Sequence, residues 1–329
     1  MSSSSSPTSN TVPLKACVIA IVGTGMIGRS WAATFARAGH PVRLFNRNPA
    51  KAHASLDAIL ATLRVLSDAD LLHQQTPESV LKRIEVCDDL HDAVGQAGFV
   101  QENIAEEPEA KRDLFRQLND IAPEDAILAS STSHIVPSVF LEESSGANRS
   151  LVAHPLNPPH LCPLVELLPS PWTSLESVQR CRKRMLDIGQ RPIVLQKETE
   201  GFVVNRLQGA LLDEAFNLVA EGIASVADID DAIKHGLALR WSFMGPFETI
   251  DLNAPEGVRD YLDRYAESYV SLGQSRPARH PWTGQLAAQV IEERTRALDR
   301  ADLDARRAWR DRQLAALVAH KRRVESETP

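Results

Sequence analysis

Apolar and polar positions follow two successive patterns along the chain. Residues 17–22 are a short run rich in Val and Ile that a glycine cluster stops, as expected of a strand buried on both faces of a parallel sheet. Over residues 26–38, the spacing of Met26, Trp31, Phe35 and Ala38 predicts an amphipathic helix, with Gly39 placed to cap it in the left-handed conformation. A second strand is predicted at 42–45, after which Asn48 can cap, and Pro49 open, a helix running towards Leu66. Further short strands are predicted at 99–103, 126–130, 151–154 and 193–195, separated by helical stretches such as 107–119. After Lys197 the alternation stops, and long helical patterns take over at 203–221, 226–236, 257–272, 283–297 and 303–324. The pattern therefore predicts an α/β chain, a doubly wound sheet over residues 15–197 followed by an all-helical domain over 198–329. The start MSSSSSPTSN reads as a disordered tail over residues 1–14.

Composition narrows the class without changing this outline. Of 329 residues, 43% are hydrophobic and 24% charged, which is the balance of a soluble globular protein. The net charge of −7 comes with no Lys/Arg stripe, so nucleic acid is not an expected partner. No apolar run is long enough to span a bilayer and the start lacks the regions of a signal peptide, so no membrane partner is expected and the expected location is cytoplasmic. Cys17, Cys87, Cys162 and Cys181 are scattered without CxxC spacing and read as reduced thiols. No cluster has metal-ligand spacing, so no metal is expected.

Between the first predicted strand and helix lies GTGMIG, a GxGxxG motif formed by Gly23, Gly25, Met26, Ile27 and Gly28 around Thr24. Its position makes it a dinucleotide fingerprint, and the doubly wound domain Rossmann-like: the first glycine allows the turn, the second lets backbone approach a pyrophosphate, and the third lets helix pack on strand. An NAD-specific turn usually carries Asp or Glu at the end of the second strand; this chain has Asn46, followed by Arg47 and, a helical turn on, Lys51. Loss of the carboxylate beside two cations suits a 2′-phosphate, so NADP(H) is expected over NAD(H), while an Asn46 that binds a ribose hydroxyl beside solvated cations leaves NAD(H) open.

Four polar islands stand in apolar surroundings: SSTSH at 130–134, HPLNPP from His154, LVELLP around Glu166, and GFVVNR from Gly201. With VGTGMIGRSWA, QKETEGFVVNRLQ and GLALRWSFMGPFET, in order and at matching spacing, the chain resembles the 3-hydroxyacyl-CoA dehydrogenase family, and more closely its lambda-crystallin, L-gulonate 3-dehydrogenase branch. The resemblance implies catalytic roles for Ser133, His154, Glu166 and Asn205. An alcohol cannot surrender hydride without also losing its proton, and an imidazole titrates close to neutrality, so His154 is expected to act as the acid/base. Glu166 is expected to orient that imidazole, and Ser133 and Asn205 to hydrogen-bond the substrate oxygen. His134, His160 and Cys162 are expected as pocket walls.

The resemblance also implies that Arg240 binds a substrate carboxylate, as a guanidinium fork suits one. The expected reaction is interconversion of a small 3-hydroxy acid and its 3-keto form. A CoA thioester remains an alternative, through the helix-rich insertion 57–83, as does reduction of a 3-keto acid or ester, and an apolar wall of Trp241, Phe243 and Phe247 would admit 3-hydroxy or 3-keto acids less polar than gulonate. A crystallin-like binding or structural protein is the non-enzymatic alternative. Apolar positions Leu211, Leu212, Phe216 and Val219 exceed what a small helical domain buries alone, which with the resemblance predicts a homodimer. The terminal helix carrying Arg306, Arg307, Trp309 and Arg310 either embraces the partner or presents a solvated cationic face.

Overall fold

A computed structural model describes residues 16–275 and 280–327, so the tail expected at 1–14 lies outside the described residues. The strands β1 (Val18–Val22), β2 (Val42–Phe45), β3 (Ile84–Cys87), β4 (Ala97–Glu102), β5 (Ile127–Ser130), β6 (Ser150–Pro155), β7 (Leu164–Pro169) and β8 (Arg191–Val194) form one sheet in the order β3-β2-β1-β4-β5-β6-β7-β8. Pairing is parallel throughout except between β6 and β7, which run antiparallel. Side chains alternate across β1, so Ile19 and Ile21 enter one core with Trp31, Phe35 and Leu44, whereas Ala20 and Val22 enter the other with Val100, Phe115 and Phe140. Each such Val, Ile, Leu or Phe side chain contributes about 1.5–3 kcal/mol when fully buried.

The six predicted strands are present within a few residues of their expected bounds. Two were not on that list. β7 is the apolar run around Glu166; β3 is four residues long with an exposed Glu85, too short to show a period. Helix α1 (Met26–Arg37) follows β1 directly. Helix α2 (Pro49–Asp68) opens as its sequence predicts, with the Asn48 side chain accepting from the Lys51 amide and Pro49 in the first turn.

The described chain divides into two units, Val204–Arg306 and the remainder, which comprises residues up to Val203 and those from Arg307 onward. The end of the chain was expected within the helical domain; it belongs instead to the sheet-bearing unit. The cause is an apolar stripe on the terminal helix (Leu303–Glu327): Ala315 is buried in the core that contains Leu71 and Leu72, and Leu314, Val318 and Ala319 pack against it.

In the second unit, Phe216 stacks on Trp282 with ring centroids 4.7 Å apart, and Val219 is buried. Of the four residues expected at a subunit interface, Leu211 is the one that remains exposed. Helical spacing revealed an apolar stripe there but not that part of it is covered within the unit. The predicted helix at 226–236 is Val226–Ala232 followed by a π-helical turn, Ile233–Leu237. None of the described helices is long and apolar enough to cross a membrane. All four cysteines are free, and no group of three or more potential metal ligands occurs among the described residues.

Candidate active site

Strand β1 has β2 on one side and β4 on the other, so chain connections leave it in opposite directions and open a crevice at its carboxyl end. The glycine turn occupies that end. Gly23 has φ of +100°, and a Cβ there would stand 2.5 Å from the Asn103 carbonyl oxygen; a Cβ on Gly28 would stand 1.9 Å from the Gly23 carbonyl oxygen. Gly25 differs from both, with φ of −64° and nothing within 4 Å of where its Cβ would lie. The chain's own packing does not require glycine at 25, but backbone approach by an outside group does. Gly25 is also the N-cap of α1, which has no side-chain cap and no acidic residue in its first turn. An uncapped helix N-terminus beside an open glycine, at the edge of a cleft of about 600 Å³ that runs past Asn103 and Ile104, fits a dinucleotide pyrophosphate.

At the end of β2 the Asn46 carboxamide is held at both ends: Nδ2 donates to Thr24 Oγ1 (2.8 Å), and Oδ1 accepts from the Asn48 amide (2.9 Å). Arg47 lines the large cleft, whereas Lys51 lines a separate recess of about 380 Å³ with Arg29; Asn46 borders both. Met26 is half exposed on the first turn of α1, and Ile27 packs against the core.

Antiparallel pairing of β6 with β7 sets His154 directly opposite Glu166. Their side chains meet at 2.8 Å, imidazole Nδ1 to carboxylate Oε2, with both residues buried. Glu166 Oε1 accepts from the Val203 amide at 2.7 Å. The preceding Phe202 is held at φ of +52°, fully buried, its ring edge-on to the imidazole at 5.4 Å. Thus Phe202 packs against the pair and Val203 supplies a hydrogen bond to it.

Ser133 lies in the loop after β5, and its hydroxyl donates to Glu106 Oε1 at 2.8 Å, as does its amide at 2.6 Å. Thr132 donates to the other Glu106 oxygen at 2.7 Å. Burial pushes the Glu106 carboxyl up, but these three donors and nearby Lys111 outweigh it and hold the pKa below the ordinary glutamate value. Glu106 was not singled out from the sequence; an exposed-looking acidic stretch, EEPE, masks it. Flanking that stretch is a buried ion pair in which Lys111 Nζ donates to Glu102 at 2.8 and 3.0 Å, while Ser130 donates to Glu102 Oε2 at 2.5 Å. Lys111 shares a helix face with Leu114, Phe115 and Leu118, and that spacing was the available signal for its burial.

Asn205 and Arg240 belong to the second unit, Asn205 in the first turn of helix Val204–Ala220 and Arg240 exposed in helix Ala238–Trp241. Trp241, Phe243 and Phe247, expected as an apolar wall, are exposed on that unit. His134 is exposed on the loop that carries Ser133. His160, expected as a pocket wall, shares a hydrogen bond with Ser30 Oγ (3.1 Å) and lines a cavity other than the cleft at the glycine turn. Burial, helped by Arg37 and Arg310, pushes its pKa down to about 3. Burial raises the Cys162 thiol, with Arg310 and Asp311 as its charged neighbours.

The model of the 3-hydroxyacyl-CoA dehydrogenase NAD-binding domain matches residues 18–199, and that of the family's C-terminal domain matches residues 201–292. A lambda-crystallin homolog of Bos taurus is 40% identical over 309 residues, 93% of this chain and 96% of its own length. An L-carnitine dehydrogenase of a Pseudomonas species is 33% identical over 274 residues, 83% of this chain and 81% of its own. Among solved structures, a 5-formyl-3-hydroxy-2-methylpyridine 4-carboxylic acid 5-dehydrogenase, an NAD+-dependent dismutase, superposes with a TM-score of 0.78 at 27% identity, covering 92% of this chain and 97% of that one. With both domain models matched back to back over a glycine turn and sheet of this kind, the chain belongs to the 3-hydroxyacyl-CoA dehydrogenase family of NAD-dependent oxidoreductases, within its lambda-crystallin branch.

Proposed function

We propose that the chain interconverts a small 3-hydroxy acid, bound by its free carboxylate, and the corresponding 3-keto acid, as an L-gulonate 3-dehydrogenase does. The observation that carries this reading is the buried His154–Glu166 pair at 2.8 Å, near the carboxyl end of β6. A bound nicotinamide supplies the hydride acceptor for oxidation and the donor for reduction.

Because Nδ1 of His154 is committed to Glu166, Nε2 is the nitrogen left to take the substrate's hydroxyl proton. The Glu166 carboxylate, fixed by the Val203 amide, keeps the ring in one orientation and stabilises the imidazolium as the proton arrives. Ser133 and Asn205 hydrogen-bond the reacting oxygen, favouring it as charge develops. Arg240 offers the guanidinium fork for the carboxylate. That L-carnitine dehydrogenase is among the relatives supports a free acid, since carnitine is itself a 3-hydroxy acid. In reduction each proton-transfer role reverses. The carboxyl-end helices pair two copies of the chain, with Leu211 in the contact.

The turn carrying Asn46, Arg47 and Lys51 supports preference for NADP(H), while the NAD-binding description of the matched domain makes NAD(H) the competing cofactor. A spectrophotometric panel tests both parts, following NADH and NADPH with L-gulonate, 3-hydroxybutyrate, 3-keto esters and acetoacetyl-CoA. The expected result is a higher kcat/KM for free hydroxy acids, and for NADP(H). Acetoacetyl-CoA turning over faster than every free acid overturns the substrate assignment. Cofactor binding without turnover of any of these would leave a crystallin-like binding protein.

A further inference from the structure

We propose that the sheet-bearing unit contains a second ligand site, a cavity beneath the terminal helix that binds a phosphate dianion, either free or carried on a small organic molecule. The cavity measures about 540 Å³ and shares no lining residue with the cleft at the glycine turn. Arg37, Arg191, Lys321 and Arg322 line it against a single carboxylate, Glu325. Glu325 is exposed and lies 3.7 Å from Arg191, and its charge also reaches Arg322. Among the described residues Arg37, Lys321 and Arg322 have no carboxylate within ion-pair distance.

Arg37 is 6% exposed, yet among the described residues its guanidinium makes one hydrogen bond, from Nη1 to the His160 carbonyl at 3.2 Å. Arg322 Nη1 is buried with no partner among the described residues. Burial and the charge of Arg322 lower the Arg37 pKa to about 10, and burial lowers that of Arg322. A buried guanidinium, Arg37, and a half-buried one, Arg322, therefore lie near one another with neither in ion-pair contact and Glu325 as the one carboxylate whose charge reaches Arg322, an arrangement that costs free energy unless something outside the chain compensates it. Burial keeps His160 neutral, so it adds no further positive charge at neutral pH. The C-terminal dipole of α1 favours a cation at Arg37 but does nothing for Arg322.

A dianion matches the pair of charges, and planar forks bind phosphate oxygens bidentately. Because Arg37 ends α1 and Arg322 lies on the terminal helix, one such ligand would tie that helix to the helix that opens at Gly25.

The test is hydrogen exchange on the full chain with saturating nicotinamide cofactor, so that the glycine turn is already filled. Inorganic phosphate and glucose 6-phosphate are each titrated against chloride at equal ionic strength, reading peptides that cover residues 310–327. At ten times its dissociation constant the ligand is expected to slow exchange there about tenfold. Protection should be lost in Arg322→Gln and weakened in Lys321→Gln, which keeps a readout if the first variant folds poorly. Saturation by glucose 6-phosphate at lower concentration identifies an organic phosphate, and the reverse order identifies free phosphate. Equal protection by chloride, or full protection retained in both variants, means an adventitious ion only and overturns the proposal.

Discussion

Gly25 and Gly28 are one motif in sequence but answer to different constraints. A Cβ on Gly28 collides with the Gly23 carbonyl at 1.9 Å, so Gly28→Ala should cost more than about 3 kcal/mol, read as a drop in Tm or in the denaturant midpoint. No atom of the chain opposes a side chain on Gly25, so Gly25→Val should cost only what a poorer N-cap residue costs, about 1 kcal/mol, while weakening cofactor affinity at least about tenfold, by fluorescence titration. Within the proposed chemistry His154→Asn removes proton transfer alone, so kcat should fall by about 10²–10⁴ with cofactor affinity kept. His160 provides a test independent of activity. It is neutral in the folded state down to about pH 3, whereas an unfolded histidine protonates near 6.5. Below pH 6.5 the unfolded chain therefore takes up a proton that the folded chain refuses, and stability falls with pH by up to about 1.4 kcal/mol per unit. His160→Gln should flatten that slope between pH 6.5 and 4.5, measured by urea denaturation; an unchanged slope would contradict it.

Between elements, register decides what the residues can do. The antiparallel β6–β7 pairing puts His154 and Glu166 on one face of the sheet, and a slip of one residue would turn them to opposite faces. The family resemblance paired the two residues, but their spacing of twelve residues says nothing of contact until the two strands pair. Lys111 illustrates the converse. Helical spacing with Leu114, Phe115 and Leu118 places it on the buried face, and Glu102 at the end of β4 receives it. Lys111→Met leaves that carboxylate buried and unpaired and should cost about 3–5 kcal/mol in chemical denaturation; adding Glu102→Gln should recover part of the loss. Four-residue β3, with Glu85 exposed between buried Ile84 and half-buried Val86, carries too little pattern to read without its partner β2.

For the whole molecule, the terminal helix is the main departure from linear organisation. Its residues from Arg307 onward belong with the sheet-bearing unit although about a hundred residues of the other unit intervene. Ending the chain after Arg306 removes Ala315 from the core that contains Leu71 and Leu72, with Leu314 and Val318 that pack against that core, and should lower the stability of that unit by at least about 2 kcal/mol. Thermal unfolding of the truncated chain, with protease cleavage mapped near residues 69–73, would show it. If the truncated chain melts as the full one does, the packing contributes little.

The sequence by itself determined the alternation of strands and helices, the change to an all-helical pattern after the sheet, and the glycine turn between β1 and α1. These follow from periodicity and backbone sterics within a few neighbouring residues. The tertiary structure alone decided which apolar stripe covers which surface, that Arg37 and Arg322 share a cavity, and that Glu106 holds Ser133. Hydrophobic burial is non-directional, and a charge carries no record of its distant neighbours, so an amphipathic pattern states that a face must be covered without stating by what.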